Sequence, residues 1–96
     1  MVYNDIAQNK DNPFPGEIFN NPAGVNVYDE STINYQGKDV SLEKFIAVLE
    51  GDHEVAQGPV LESNSESKVF VFFADHGAPG LVMLPTGEYL YADKLQ

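Results

Sequence analysis

An unbroken apolar run at residues 69–74 constrains the fold of this chain more than any other feature. All six residues from Val69 to Ala74 are apolar, and the polar Lys68 and Asp75 bound the run. The β-branched and aromatic content predicts a strand, and the absence of alternation means that both of its faces are apolar. A strand of this kind is typical of the middle of a parallel sheet that is covered on both sides. The run therefore predicts an α/β fold with a mostly parallel sheet and flanking helices.

One helix is predicted over residues 41–51. Ser41 is a suitable N-cap, and Gly51 stands where a glycine ends many helices. Apolar residues recur at helical spacing and form one face: Leu42, Phe45, Ile46 and Leu49. This amphipathic pattern predicts a helix that packs on the sheet.

The remaining segments carry weaker signals. Tyr89 and Tyr91 alternate as in a strand, which favours a packing role for both rings. The sequence predicts a loop over 9–25, a short strand over 25–29, an extended segment over 33–40 with a turn at Gln36-Gly37, a polar surface connection over 58–68, a short strand over 81–85 and a helix that begins near Asp93.

One complete amphipathic helix is too little to cover both faces of the strand at 69–74. We therefore expect residues 1–96 to be a single partial domain, the middle portion of a larger α/β domain that is incomplete at both ends. Met1 is then expected to be an internal methionine. Because one face of this strand lacks a covering helix, we also expect the isolated segment to be only marginally stable.

The composition excludes several classes of function. The formal net charge is −10, with 15 acidic residues, five lysines and no arginine, so a nucleic-acid partner is not expected. No cysteine is present, which excludes a disulfide, a zinc-thiolate site and a cysteine nucleophile within these residues. No run approaches the ~20 apolar residues of a membrane span. The first residues do not form a signal peptide.

The tripeptide Asp75-His76-Gly77 follows the predicted strand directly. Catalytic groups gather at the carboxyl ends of strands in parallel sheets, and histidine exchanges a proton near neutral pH. The amide of Gly77, unobstructed by a Cβ, is suited to an oxyanion. A strand-ending turn with a structural histidine explains the bare tripeptide equally well, so both interpretations stay open at this point.

Other polar residues favour plain structural roles. His53 is predicted to be a solvated loop histidine just past the helix. A metal site that pairs His53 with His76 is not expected, because no third ligand stands at a recognisable spacing. The acidic residues between positions 50 and 66 are expected to form a solvated face.

Motifs along the whole chain resemble the legumain (asparaginyl endopeptidase) family of caspase-like cysteine proteases. The segment "VFVFFADHGAPG" is similar to the family's histidine motif. The segments "MVYNDIAQNKDNPFPG", "NVYDESTINYQGKDVSLEKFIAVLEGD" and "LPTGEYLYADKLQ" resemble other parts of the family in the same order. The resemblance implies a caspase-like fold and cleavage of proteins or peptides after Asn, and less readily after Asp, without a cofactor.

The resemblance also implies roles for three residues. His76 matches the catalytic histidine, Gly77 the oxyanion-hole glycine, and Asp75 the aspartate before the histidine, for which a direct role and a turn-ordering role both remain open. The family's nucleophilic cysteine follows a later strand, so the segment alone is expected to be inactive. The triplet Glu50-Gly51-Asp52 stands where some members carry Arg-Gly-Asp.

Two alternatives and a location follow from the same resemblance. One alternative is a glycosylphosphatidylinositol transamidase-like catalytic subunit, although Asp75 favours the legumain type. The other is a non-catalytic pseudo-enzyme or interaction fragment of the same fold. For the whole protein the family implies location in a lysosome or vacuole, or secretion. The sequence does not indicate which oligomeric state the protein adopts.

Overall fold

A computed structural model describes all residues from Met1 to Gln96. Two short 3-10 turns, Glu30–Thr32 and Gly37–Asp39, precede the other elements. These are α1 (Leu42–Glu50), α2 (His53–Ala56), β1 (Gly77–Ala78), β2 (Leu81–Met83), β3 (Tyr89–Tyr91) and α3 (Ala92–Leu95). No helix is long and apolar enough to cross a membrane.

Helix α1 confirms the prediction for residues 41–51, including both ends. The Ser41 hydroxyl accepts a hydrogen bond from the Lys44 N–H at 3.3 Å, so it satisfies one of the free donors of the first turn. Gly51 ends the helix in the left-handed region, with φ of 77°, which a residue without Cβ adopts at little cost.

The core is small and is centred on α1 and α2. Its buried members are Tyr35, Ala47 and Ala56, with the partly buried Val48 and Val60 packed against them. The Tyr35 hydroxyl donates a hydrogen bond to the Pro59 carbonyl at 2.7 Å, so the one buried polar tip is satisfied. This cluster makes the two helices one packed unit.

The three strands form an antiparallel sheet in the order β1-β2-β3. Ala78 pairs with Leu81 and Val82 pairs with Leu90, so the strands follow one another as two hairpins. Leu90 is 2% exposed while the flanking Tyr89 and Tyr91 are exposed, as alternation along a strand requires. The predicted strand at 81–85 is confirmed for 81–83, and the last helix begins one residue before Asp93.

The apolar segment, residues 69–74, departs from its prediction. No backbone group of residues 68–74 makes a hydrogen bond, so the segment joins no sheet and the predicted mostly parallel sheet is absent. Phe70 is 89% exposed and Phe72 is 82% exposed. The one parallel pairing is an isolated bridge between Val2 and Gln36. Parallel strands need partners that are distant in sequence, and no other segment of these residues pairs with this one.

Two local predictions are also wrong. Residues 25–29 form no strand, because the Val27 N–H donates to Ile18 within a loop rather than in a ladder. His53 begins the short helix α2 instead of lying in a loop, because the Asp52 carboxylate caps that helix through the N–H groups of Glu54 and Val55. The predicted loop over 9–25 and the connection over 58–68 contain no helix or strand.

Candidate active site

Residues 75–77, which we call the site tripeptide, lie where the apolar segment enters the β1–β2 hairpin. The hairpin turns at Pro79 and Gly80, between the paired residues Ala78 and Leu81. Pro79 fixes its own φ, and Gly80 adopts a φ of 81°, a combination that suits a type II turn. The tight turn therefore fixes the position of β1 directly after His76.

The backbone of His76 is bound to β2. Its carbonyl accepts a hydrogen bond from the Met83 N–H at 2.8 Å. Its imidazole makes no hydrogen bond and no ion pair, and the residue is exposed. The chain thus holds the main chain of His76 while its side chain stays open to an incoming group.

The ladder directs the amide of Gly77 away from the sheet. Neighbouring pairs in an antiparallel ladder alternate between bonded and non-bonded. Because the Met83 N–H bonds to His76, the adjacent pair Gly77–Val82 is of the non-bonded kind. The N–H of Gly77 therefore points outward from β2, on the open edge of β1.

A side chain at position 77 would crowd the hairpin. A Cβ built on Gly77 would lie 3.2 Å from the Leu81 carbonyl oxygen, which is tighter than most Cβ contacts. Glycine thus allows β1 to lie close to β2 and leaves its own N–H uncovered.

The carboxylate of Asp75 binds the main chain of its neighbour. Its Oδ1 accepts a hydrogen bond from the His76 N–H at 2.6 Å. This contact orders the turn into β1 and leaves the imidazole untouched. The one hydrogen bond of the Asp75 side chain thus fits a turn-ordering role.

An apolar groove of about 850 Å³ lies beside the site tripeptide. Asp75 lines it, together with the Phe45 ring of α1 and the Phe72 and Phe73 rings of the apolar segment. Phe45 and Phe73 pack edge to face, with ring centroids 5.6 Å apart. This pair attaches the apolar segment to α1 just before the site tripeptide.

Glu88, in the loop between β2 and β3, anchors this part of the sheet to α1, and no pattern in the sequence predicted it. Its Oε2 accepts hydrogen bonds from the Leu42 N–H at 2.9 Å and from the Thr86 hydroxyl at 2.7 Å. The bond from Leu42 lowers the pKa of Glu88 most, the bond from Thr86 lowers it further, and slight burial opposes both. Leu42 and Glu88 are 46 residues apart, so no local pattern signals the contact.

The second histidine has different surroundings. His53 Nε2 lies 3.6 Å from a carboxylate oxygen of Glu62, and both side chains are exposed. The structure contains no group of three or more His, Cys, Asp or Glu side chains that would hold a metal ion. His53 thus has a carboxylate neighbour, whereas the imidazole of His76 makes no ion pair.

Comparison with known proteins gives the family of the chain. The model of the peptidase C13 family matches residues 1–96. The chain belongs to the peptidase C13 family. Membership implies a caspase-like fold, of which this C13 segment forms a part.

Individual relatives agree with the family match. The C13 segment is 43% identical over 98 residues to a vacuolar-processing enzyme of Citrus sinensis, covering 99% of the segment and 20% of that relative. It is 46% identical to legumain of Rattus norvegicus, and the match covers 88% of the segment and 20% of that relative. It is 48% identical to a hemoglobinase of Schistosoma mansoni, and the match covers 96% of the segment and 21% of that relative. The segment spans about a fifth of the length of these curated relatives.

Proposed function

We propose that the segment belongs to a longer cysteine endopeptidase that cleaves proteins after Asn, and less readily after Asp. His76 is the general base, and Gly77 supplies an oxyanion donor. The observation that carries this proposal is the placement of an open imidazole and an outward-pointing glycine amide on consecutive residues, at the anchored start of β1. Consecutive placement on a fixed backbone suits a site that must hold two groups around one carbonyl.

The nucleophile in this proposal is a cysteine thiol outside residues 1–96, because these residues contain no cysteine. The thiol transfers its proton to the His76 imidazole, and the thiolate attacks the scissile carbonyl carbon. The carbonyl oxygen then carries a negative charge. A hydrogen bond from the Gly77 N–H stabilises that charge as it develops.

The tetrahedral intermediate collapses to a thioester and releases the amine, which takes its proton from the His76 imidazolium. A water molecule then attacks the thioester carbonyl and gives a proton to His76. The thiol recovers that proton when the carboxylic acid leaves. His76 is therefore needed in both halves of the reaction.

Substrate class and location rest on the relatives. One relative is named a vacuolar-processing enzyme and others are named legumain. These names support a proteolytic role in a vacuole or lysosome, or after secretion, and they favour the legumain type over a transamidase-like subunit. Preference for Asn at the cleavage site is carried over from the legumain resemblance.

The test is substitution of His76 in the full-length protein that carries this segment. His76→Ala removes the base, and we expect the cleavage rate of an Asn-containing peptide to fall at least about a thousandfold. His53→Ala is the matched control, since His53 is also exposed and lies outside the hairpin. We expect the control to keep wild-type turnover.

Three outcomes separate the possibilities. Turnover by His76→Ala near the wild-type rate would refute the assignment. A wild-type protein that cleaves no peptide after Asn, and that lacks a cysteine downstream of Gln96, would support the pseudo-enzyme instead. Loss of activity confined to His76→Ala supports the peptidase.

A further inference from the structure

Helix α1 contacts the polypeptide on both sides of the site tripeptide. Before the tripeptide, Phe45 of α1 packs on Phe73 with ring centroids 5.6 Å apart. After it, the N–H of Leu42, the first residue of α1, donates to Glu88 at 2.9 Å. One helix therefore supports the segment that carries His76 at two points along the chain.

A short path of hydrogen bonds leads from Glu88 to His76. The Glu88 carbonyl accepts a bond from the Leu84 N–H at 2.8 Å. Met83, which precedes Leu84, donates its N–H to the His76 carbonyl at 2.8 Å. Leu84 is itself buried. Glu88 is thus linked to His76 through Met83 and Leu84, two adjacent residues at the end of β2.

The charge of Glu88 strengthens its contact with α1. An N–H at a helix N-terminus favours a negative partner, and a bond to an ionised acceptor is stronger than a neutral one. The other ionisable groups in the first turn are Glu43 and Lys44, and Lys44 is paired with Asp39 at 2.7 Å. The Thr86 hydroxyl, in the same β2–β3 loop, donates to that carboxylate oxygen and orients it.

We propose that Glu88 is a positioning residue: it fixes the β2–β3 hairpin on α1 and, through the shared strand β2, holds β1 with His76 and the Gly77 amide in their reactive arrangement. This inference rests on the proposed peptidase function. Without the carboxylate, α1 loses its hydrogen bond to the β2–β3 loop, while the Phe45–Phe73 contact before the site tripeptide remains. The hairpin would then shift relative to α1 and carry the backbone of His76 with it.

The test compares variants of the full-length peptidase. For Glu88→Ala we expect kcat to fall about tenfold with KM changed by less than about twofold, because the loss is in the alignment of the reacting groups. Glu88→Gln keeps an oxygen that accepts the Leu42 N–H, and we expect it to recover most of the lost kcat. Glu66→Ala removes an exposed glutamate whose side chain makes no hydrogen bond, and it is the matched control.

A pH series provides a second readout that loss of folding does not imitate. The pKa of Glu88 is lowered in the folded chain, so its contribution is complete above the ordinary value of 4.5. The contribution is lost as the pH falls through the lowered pKa. We therefore expect the ratio of wild-type to Glu88→Gln kcat to exceed one near neutral pH and to approach one as the pH falls through the lowered pKa, which lies below 4.5.

The outcomes distinguish this inference from the proposed function. An active His76→Ala protein would overturn the function. An inactive His76→Ala together with a Glu88→Ala kcat within about twofold of wild type would overturn only the role of Glu88. If Glu88→Ala does not fold, the pH series decides: a kcat ratio that does not change with pH contradicts the proposal.

Discussion

The α1–α2 unit is capped and packed around a buried cluster, whereas the apolar segment is unpaired and largely exposed. The helices have caps at their ends and share a buried cluster of Tyr35, Ala47 and Ala56. The apolar segment is richer in large apolar side chains, yet it makes no backbone hydrogen bond and exposes Phe70 and Phe72. Apolar content alone thus does not produce burial. A strand also needs partners for its backbone groups, whereas a helix satisfies its own.

The two regions also contribute differently to the candidate active site. The helical unit supplies two fixed contacts, through Phe45 and Leu42, to the part of the chain that carries His76. The apolar segment leads directly into His76 but makes no backbone hydrogen bond, and its Phe73 ring packs on Phe45. In the proposed peptidase, the geometry of the histidine therefore depends on α1 and on the hairpin that follows.

The largest expected effect is the introduction of a charge into the helical unit. Ala47 is 3% exposed, so Ala47→Asp buries an unpaired carboxylate and should lower the free energy of unfolding by about 3 kcal/mol or more. Urea unfolding followed by far-UV circular dichroism measures this change. Phe70→Ser in the apolar segment is the comparison, with an expected change below about 0.5 kcal/mol. Equal losses for the two variants would erase the distinction between the regions.

A smaller effect is expected at the N-cap of α1. Ser41→Ala removes the hydroxyl that accepts the Lys44 N–H and should cost about 1 kcal/mol of unfolding free energy. The control is Ser65→Ala, at an exposed turn where the hydroxyl makes no hydrogen bond. If the two variants match each other, the cap does not contribute to the stability of the helical unit.

Local signals in the sequence account for the elements that were predicted well. Ser41, the apolar face and Gly51 specify α1 within 11 residues. The alternation around Leu90 specifies β3. The motif around His76 also identified the family, because the resemblance extends along the chain and the family match covers residues 1–96.

The features that were missed depend on contacts that are remote in sequence. The mostly parallel sheet requires strands to pair with residues 69–74, and these 96 residues provide none. The bond from Leu42 to Glu88 joins a helix to a loop that no periodicity connects. The strand predicted at 25–29 is wrong because β-branched composition there is not matched by a partner.

Amide hydrogen exchange on the 96-residue chain tests the central contrast most directly. Exchange reports the opening of each hydrogen bond, so it compares both regions in one sample. We predict that the amides in the last part of α1, such as Ala47 and Val48, are protected, while those of Phe70, Val71 and Phe72 exchange at the rate of an unstructured peptide. Protection at residues 69–74 equal to that in α1 would contradict the account, because it would show that the apolar segment is paired within this chain.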